Sequence, residues 1–244
     1  MNRNALLLLL FALLMGRARA QKINTDRPDQ SDGASVVKEN TIQLESSLYY
    51  TVVEKNKHAF ISSSLLRYGL VKNFELRLLA EQGHHRNLFM DETAQSQYPL
   101  AIGAKLGLVE QTDVRPAVSL VGYLQLPFTN GTQPAQWSPA VLLVVEKKWS
   151  PLTLTVNAGP KQEAFHPDWE FQATTDLKCE VSKKWQVFGE YFAQYGHALP
   201  FHNVDAGFLY QLNKHWMVYG SAGSSIKHHP SNYFFNTGFA VQLN

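Results

Sequence analysis

Phe171-Gln172-Ala173-Thr174-Thr175-Asp176-Leu177-Lys178-Cys179-Glu180-Val181 changes character at almost every step. Phe171, Ala173, Leu177, Cys179 and Val181 share one parity, while Gln172, Thr174, Asp176, Lys178 and Glu180 share the other. Successive side chains of an extended chain point to opposite faces, so a period of two reads as a strand with one greasy and one charged side. Three ionisable groups on one face are too many for a dry core. They need water or one another.

The same alternation recurs over Thr41 to Val53, Phe74 to Gly83, Val204 to Leu212 and Tyr233 to Leu243. Counted along the chain, twelve runs are predicted: 41–53, 58–68, 74–83, 98–109, 115–126, 139–147, 152–159, 170–181, 185–195, 203–212, 216–226 and 233–243. Most have the length of a tilted membrane strand, about 9–11 residues. Runs 58–68 and 139–147 alternate poorly and are placed by position as much as by pattern. No segment has a helical period.

The connections sort by length. Gly69 to Asn73, Glu110 to Val114, Lys147 to Pro151, Ser182 to Lys184 and Asn213 to His215 are short and often carry Lys. The alternate ones, His84 to Gln97, Pro127 to Ser138, Pro160 to Trp169, Gly196 to His202 and Lys227 to Asn232, are mostly longer, and only Glu54 to Lys57 is tight. Short periplasmic turns opposite longer external loops are the asymmetry of outer-membrane barrels. Trp149, Trp185 and Trp216 sit beside short turns, with Tyr68, Phe74, Phe171 and Tyr210 near other strand ends, as an interfacial girdle would place them.

These features predict an all-β, transmembrane, antiparallel up-and-down barrel of about twelve strands over residues 41–244. Hydrocarbon leaves no partner for an unpaired backbone group, so strands cross it only as a closed sheet. By parity, Glu45, Glu75, Arg77, Glu81, Lys105, Asp176, Lys178, Glu180, Glu190 and Asp205 line the lumen. Their mixed signs predict internal salt bridges and a narrowed or partly filled interior.

The first twenty residues read as a secretory signal peptide: Arg3, the apolar stretch Ala5 to Met15, then Ala18-Arg19-Ala20 before a cut at Gln21. The stretch is shorter than the 18 or so residues of a helical anchor. Loss of Arg3, Arg17 and Arg19 takes the 22 basic residues to 19, against 20 acidic ones, so the basic character belongs to the leader and no nucleic-acid partner is expected. A lone Cys179 on the apolar parity reads as a small hydrophobe.

Residues 21–40 form a polar N-terminal segment on the periplasmic side, with Asp26, Arg27, Asp29 and Asp32. Two readings stand: it folds into the barrel mouth with Arg27 paired to a lumen carboxylate, or it is a loose tether. Unanchored termini are poorly ordered, which favours the tether.

Thr25-Asp26-Arg27-Pro28-Asp29 is followed by Leu66-Arg67-Tyr68-Gly69-Leu70, Phe74-Glu75-Leu76-Arg77-Leu78, Ala101-Ile102-Gly103-Ala104-Lys105 and Leu126-Pro127-Phe128. In that order the motifs resemble the outer-membrane transporter-like family named for a MetA pathway of phenol degradation. The motifs fall between residues 25 and 128, and the later strands agree in pattern alone. The resemblance implies a single outer-membrane barrel that transports, without identifying phenol as the solute. The chain departs from a frequent barrel habit by ending Val241-Gln242-Leu243-Asn244, with no terminal aromatic for the insertion machinery to read.

The expected function is passage or binding of small solutes, some of them hydrophobic, with outer-membrane lipid and the barrel-insertion machinery as further partners and no cofactor. A non-conducting structural barrel is the main rival. A lipid hydrolase using Ser224 or Ser225 with His228 or His229 is a weaker one, since no G-x-S-x-G elbow is present. Eight histidines fall at the loop end: His58, His84, His85, His166, His197, His202, His228 and His229. Of these His84, His85, His228 and His229 are the metal candidates, but their spacing matches no zinc motif and solvated loop residues are the plainer reading.

Overall fold

The computed structural model describes residues 23–28, 30–53, 57–87, 100–127, 136–162, 167–196, 201–227 and 233–243. The expected leader, Asp29, His166, His197, His228 and His229 lie outside them, as do the side chains of His84 and His85.

Among the described residues every regular element is a strand: β1 Ile42–Val53, β2 Lys57–Val71, β3 Phe74–Asn87, β4 Leu100–Val109, β5 Ala117–Gln125, β6 Ser138–Trp149, β7 Leu152–Gln162, β8 Trp169–Glu180, β9 Trp185–Tyr195, β10 Phe201–Gln211, β11 Trp216–Lys227 and β12 Tyr233–Leu243. Each pairs antiparallel with its sequence neighbours, and β12 returns to β1, closing the barrel. The seam runs unbroken from Ile42 opposite Leu243 to Val52 opposite Tyr233. Closure leaves no open edge. β3 continues to Asn87 and β2 from Lys57 to Val71, both beyond the alternating cores that mark them in the sequence.

Burial is inverted relative to a soluble protein. Glu75, Lys105 and Asp176 are fully buried, whereas Ile102, Leu143 and Phe235 are about half exposed. The greasy parity therefore faces outward and does not stack against a second sheet. Water cannot stabilise such a surface, but lipid can. Trp149, Trp185 and Trp216 mark one end of the belt, and Trp137, Trp169, Tyr195 and Tyr233 the other, all exposed.

Two runs with weak alternation have distinct causes. In β6 both faces are apolar because inward Leu142 and Val144 pack with Val121 against Ala34 of the N-terminal segment. In β2 the polarity is locally reversed: Leu65 and Ala59 are buried inside, while Ser64 faces out and shares a hydrogen bond of 3.1 Å with Ser46 of β1.

Four inward glycines stand directly opposite inward aromatics on the next strand: Gly103 with Tyr123, Gly207 with Phe188, Gly223 with Phe234, and Gly238 with Tyr219. Each ring lies over the bare backbone of its glycine, so a Cβ at Gly207 would meet the Phe188 ring at 2.5 Å. Bulky rings thereby fit inside a narrow bore.

Candidate functional site in the barrel lumen

The interior is occupied by the chain's own start. Ile23 packs on Phe188, Leu209, Met217, Tyr219 and Ala240, an apolar patch on the inner wall of β9 to β12. The segment then climbs to Pro28 and Gln30 and doubles back, fastened by the Gly33 amide, which donates to Asp26 Oδ1 at 2.8 Å. It leaves across the end of β2, where Glu39 bridges Gly69 and the Asn40 amide donates to the Gly69 carbonyl at 2.8 Å. Asn40 takes a φ of 56°, a left-handed turn that Asn tolerates, and β1 begins two residues later. The expectation of a loose tether is therefore corrected: anchoring comes from the wall.

Asp26 is the hub. Its Oδ2 lies 2.9 Å from Lys105 Nζ and 3.2 Å from Arg67, and also pairs with Arg77. Arg67 grips Glu75 with two parallel bonds, of 2.9 and 3.0 Å, and reaches Glu45 at 2.9 Å. Arg77 binds Glu75 and Asp32, each at 2.7 Å, and Tyr123. Charges this buried are tolerable only when paired and hydrogen-bonded, and here each is. Backbone groups complete the set: Lys105 donates to the Gly33 carbonyl at 2.7 Å, and the Val37 amide to Glu75 at 2.6 Å.

The opposite wall holds the tip. Asp176, Glu190 and Asp205 stand abreast on β8, β9 and β10. Glu190 accepts from the Gln30 amide at 2.8 Å and the Ser31 hydroxyl at 2.5 Å. Asn157 and Asp32 exchange two bonds, of 2.6 and 2.9 Å. Asn236 of β12 donates to the Pro28 carbonyl at 2.8 Å, and Ser119 of β5 to the Ala34 carbonyl at 2.5 Å. The segment is thus tied to walls all round the bore.

Of the ten residues placed in the lumen by parity, Glu45, Glu75, Arg77, Lys105, Asp176, Glu190 and Asp205 are buried inside. Lys178 lies 3.6 Å from Asp176. Glu81 is half-buried and acts on Arg27 through its field. Glu180 sits at the turn end, 3.0 Å from Lys148, and belongs to the rim. In the other reading Arg27 pairs with a lumen carboxylate; its guanidinium bonds Tyr49 at 3.3 Å and Ser63 at 3.1 Å, and the ion pairs that the described residues of the segment make with the wall come from Asp26 and Asp32. Among the described residues no group of three His, Cys, Asp or Glu side chains is arranged to hold a metal. His202 instead shares a hydrogen bond of 2.6 Å with Tyr191.

Burial pushes the Asp26 carboxyl up, but Arg67, Lys105 and Arg77 together outweigh it and hold the group well below the usual range. A carboxyl lowered by docking stabilises the docked state above its ordinary value of about 3.9, and that contribution is lost as pH falls through the lowered one. Asp26 therefore helps to hold the segment from neutral pH down to about pH 4. A rise in conductance carried by Asp26 should appear only in more acid solution, and the same acid-induced rise in an Asp26→Asn variant would contradict the assignment.

Where the segment leaves the bore, a cavity of about 660 Å³ opens between it and the β4–β6 wall. Ala34, Val36, Val109 and Ala117 supply an apolar lining, and Lys72, Glu110 and Lys148 a charged rim.

A closed, greasy-walled barrel around an ion-paired plug defines a membrane β-barrel with an internally narrowed bore. The chain belongs to the family described as "Putative MetA-pathway of phenol degradation", whose model matches residues 25–243. An outer membrane channel from Pseudomonas putida F1 is similar in fold, with a TM-score of 0.72 and 11% identity, covering 90% of this chain and 100% of that one. The KdgM porin solved with disordered oligogalacturonate follows at a TM-score of 0.55 and 11% identity, covering 80% and 98%. The translocator domain of the autotransporter NalP from Neisseria meningitidis gives 0.54 at 9% identity, covering 98% and 94%. No curated protein matches the chain.

Proposed function

We propose that the chain is an outer-membrane channel for small solutes, some of them hydrophobic, whose bore is occupied by its own N-terminal segment. In this reading the leader over residues 1–20 exports it, the barrel-insertion machinery seats it, and lipid surrounds the apolar belt. The observation that carries the proposal is the pairing of a lipid-suited exterior with a bore filled by the N-terminal segment rather than by wall side chains alone. The cavity of about 660 Å³ beside that segment supports partly apolar solutes, because Ala34, Val36 and Ala117 line it.

One observation favours a second reading, a barrel that conducts nothing: the segment is bonded on every side. Planar-bilayer recording of the purified protein separates the two. Discrete current steps support the channel; silence in the native protein and in a variant lacking residues 23–37 would support the structural barrel. Catalysis plays no part in the proposal. Ser225, one candidate nucleophile, donates to Asn203 at 2.7 Å.

A further inference from the structure

The short turns carry lysines, but two neighbouring turns use them differently. Lys72 pairs with Glu110 at 3.2 Å, and Lys148 with Glu180 at 3.0 Å. Lys147 donates to the carbonyls of Thr112 and Asp113 at 2.8 and 2.7 Å. On the turns 182–184 and 213–215, Lys183, Lys184 and Lys214 are exposed and have no ion-pair partner among the described residues. Neither turn contains an acid.

These two turns are also braced by hydrogen bonds. Ser182 Oγ accepts from the amides of Lys184 and Trp185 at 3.2 and 3.1 Å. Asn213 Oδ1 accepts from His215 and Trp216 at 2.8 and 3.1 Å. The Gln211 amide donates to the Lys184 carbonyl at 2.9 Å, stitching one turn to the strand that enters the other. Just inside the lysines, Trp185 lies tilted against Tyr210 at 4.6 Å and meets Phe208 at 5.6 Å, while Trp216 meets Phe239 at 5.7 Å. Trp185, Trp216 and Phe208 are all exposed on the outer face.

We propose that this sector of β8 to β11 binds the phosphate headgroup of an anionic phospholipid in the periplasmic leaflet. Lys183, Lys184 and Lys214 meet the phosphate, and an acyl chain lies on the aromatic shelf. Indole rings favour the headgroup boundary, and ammonium groups beyond it attract anionic lipid. Fixed backbone turns lower the ordering cost of bringing three lysines to one headgroup. The inference rests on the barrel standing in a membrane with these turns on the periplasmic side.

The test uses the full protein in nanodiscs of mixed phosphatidylethanolamine and phosphatidylglycerol, with retained lipid read by native mass spectrometry. Phosphatidylglycerol should be enriched at least about fivefold over its share of the mixture. The combined K183Q, K184Q and K214Q variant should lose that enrichment, whereas K72Q with K148Q should keep it. Equal retention by native and triple variant, or no enrichment in the native protein, would overturn the site. In nanodiscs that also contain lipid A, tighter capture of lipid A than of phosphatidylglycerol would overturn the leaflet. Heat-dependent gel mobility keeps the outcomes apart: a barrel that shifts on boiling yet retains no anionic lipid fails the site alone, and one that never shifts fails the membrane reading.

Discussion

Asp26→Ala is expected to unseat the N-terminal segment and raise channel current in planar bilayers. In the native protein one carboxylate faces three buried cations. Removing it leaves Arg67 with Glu45 and Glu75, and Arg77 with Glu75 and Asp32. Lys105 fares worst, keeping the Gly33 carbonyl and an Asp32 oxygen 3.9 Å away. Taking away one partner of a buried ionic cluster costs about 3–5 kcal/mol. That is roughly a hundredfold or more in the docking equilibrium. The lysine recovers water only if the segment withdraws, so the cost is relieved by opening. Larger or more frequent current steps from a barrel of native gel mobility are expected. A variant with native mobility and native current would show that the segment does not limit conduction.

The second large effect lies at the seam. Gly238→Ala should impair barrel stability severely, because the new Cβ would stand 2.0 Å from the Ser46 carbonyl oxygen and 2.6 Å from the Tyr219 ring. The first obstacle is backbone of β1, the strand that β12 must meet to close the sheet. Overpacking typically costs 1–3 kcal/mol, and an immovable obstacle belongs at the upper end, about 3 kcal/mol. Gly189→Ala and Gly122→Ala are the controls, with nearest atoms at 4.0 and 3.9 Å and room for a methyl group. Urea titration of the heat-modifiable band should show a lowered midpoint for Gly238→Ala and unchanged midpoints for the controls. Equal midpoints for all three would remove the argument that close seam packing needs this glycine.

The barrel was legible because a period of two survives any tertiary detail. Where one face meets lipid and the other meets charge, as in β8, parity alone orients every residue. It failed where the interior is itself apolar. Arg67, which binds Glu45, Glu75 and Asp26, is not among the lumen residues that parity predicts, because Ser62, Ser63, Ser64, Leu65 and Leu66 blur the alternation of β2. The register of β1 with β2 supplies what was missing: Gln43, which faces inward, stands opposite Arg67. The plug was illegible for another reason. Residues 23–40 have no period, and what orders them is a set of wall groups far away in sequence, such as Asn236, 208 residues from Pro28. The acid at position 26 is visible in the sequence, but its role depends on three cations that only the closed sheet brings together.

The attachment of that segment to β1 bears on how the molecule assembles. The pairing of β1 with β12 joins the two strands furthest apart in sequence, an entropically demanding contact. Bonds from Glu45, Glu75, Asn157, Glu190 and Asn236 to one short stretch span 19, 38, 125, 160 and 208 residues, so the reach grows stave by stave until it matches that of the seam. A stretch that touches so many staves of the wall serves as a mandrel on which the cylinder is rolled. Seating the filling and closing the cylinder favour one another, and a chain arriving without its mandrel must find its circumference unaided.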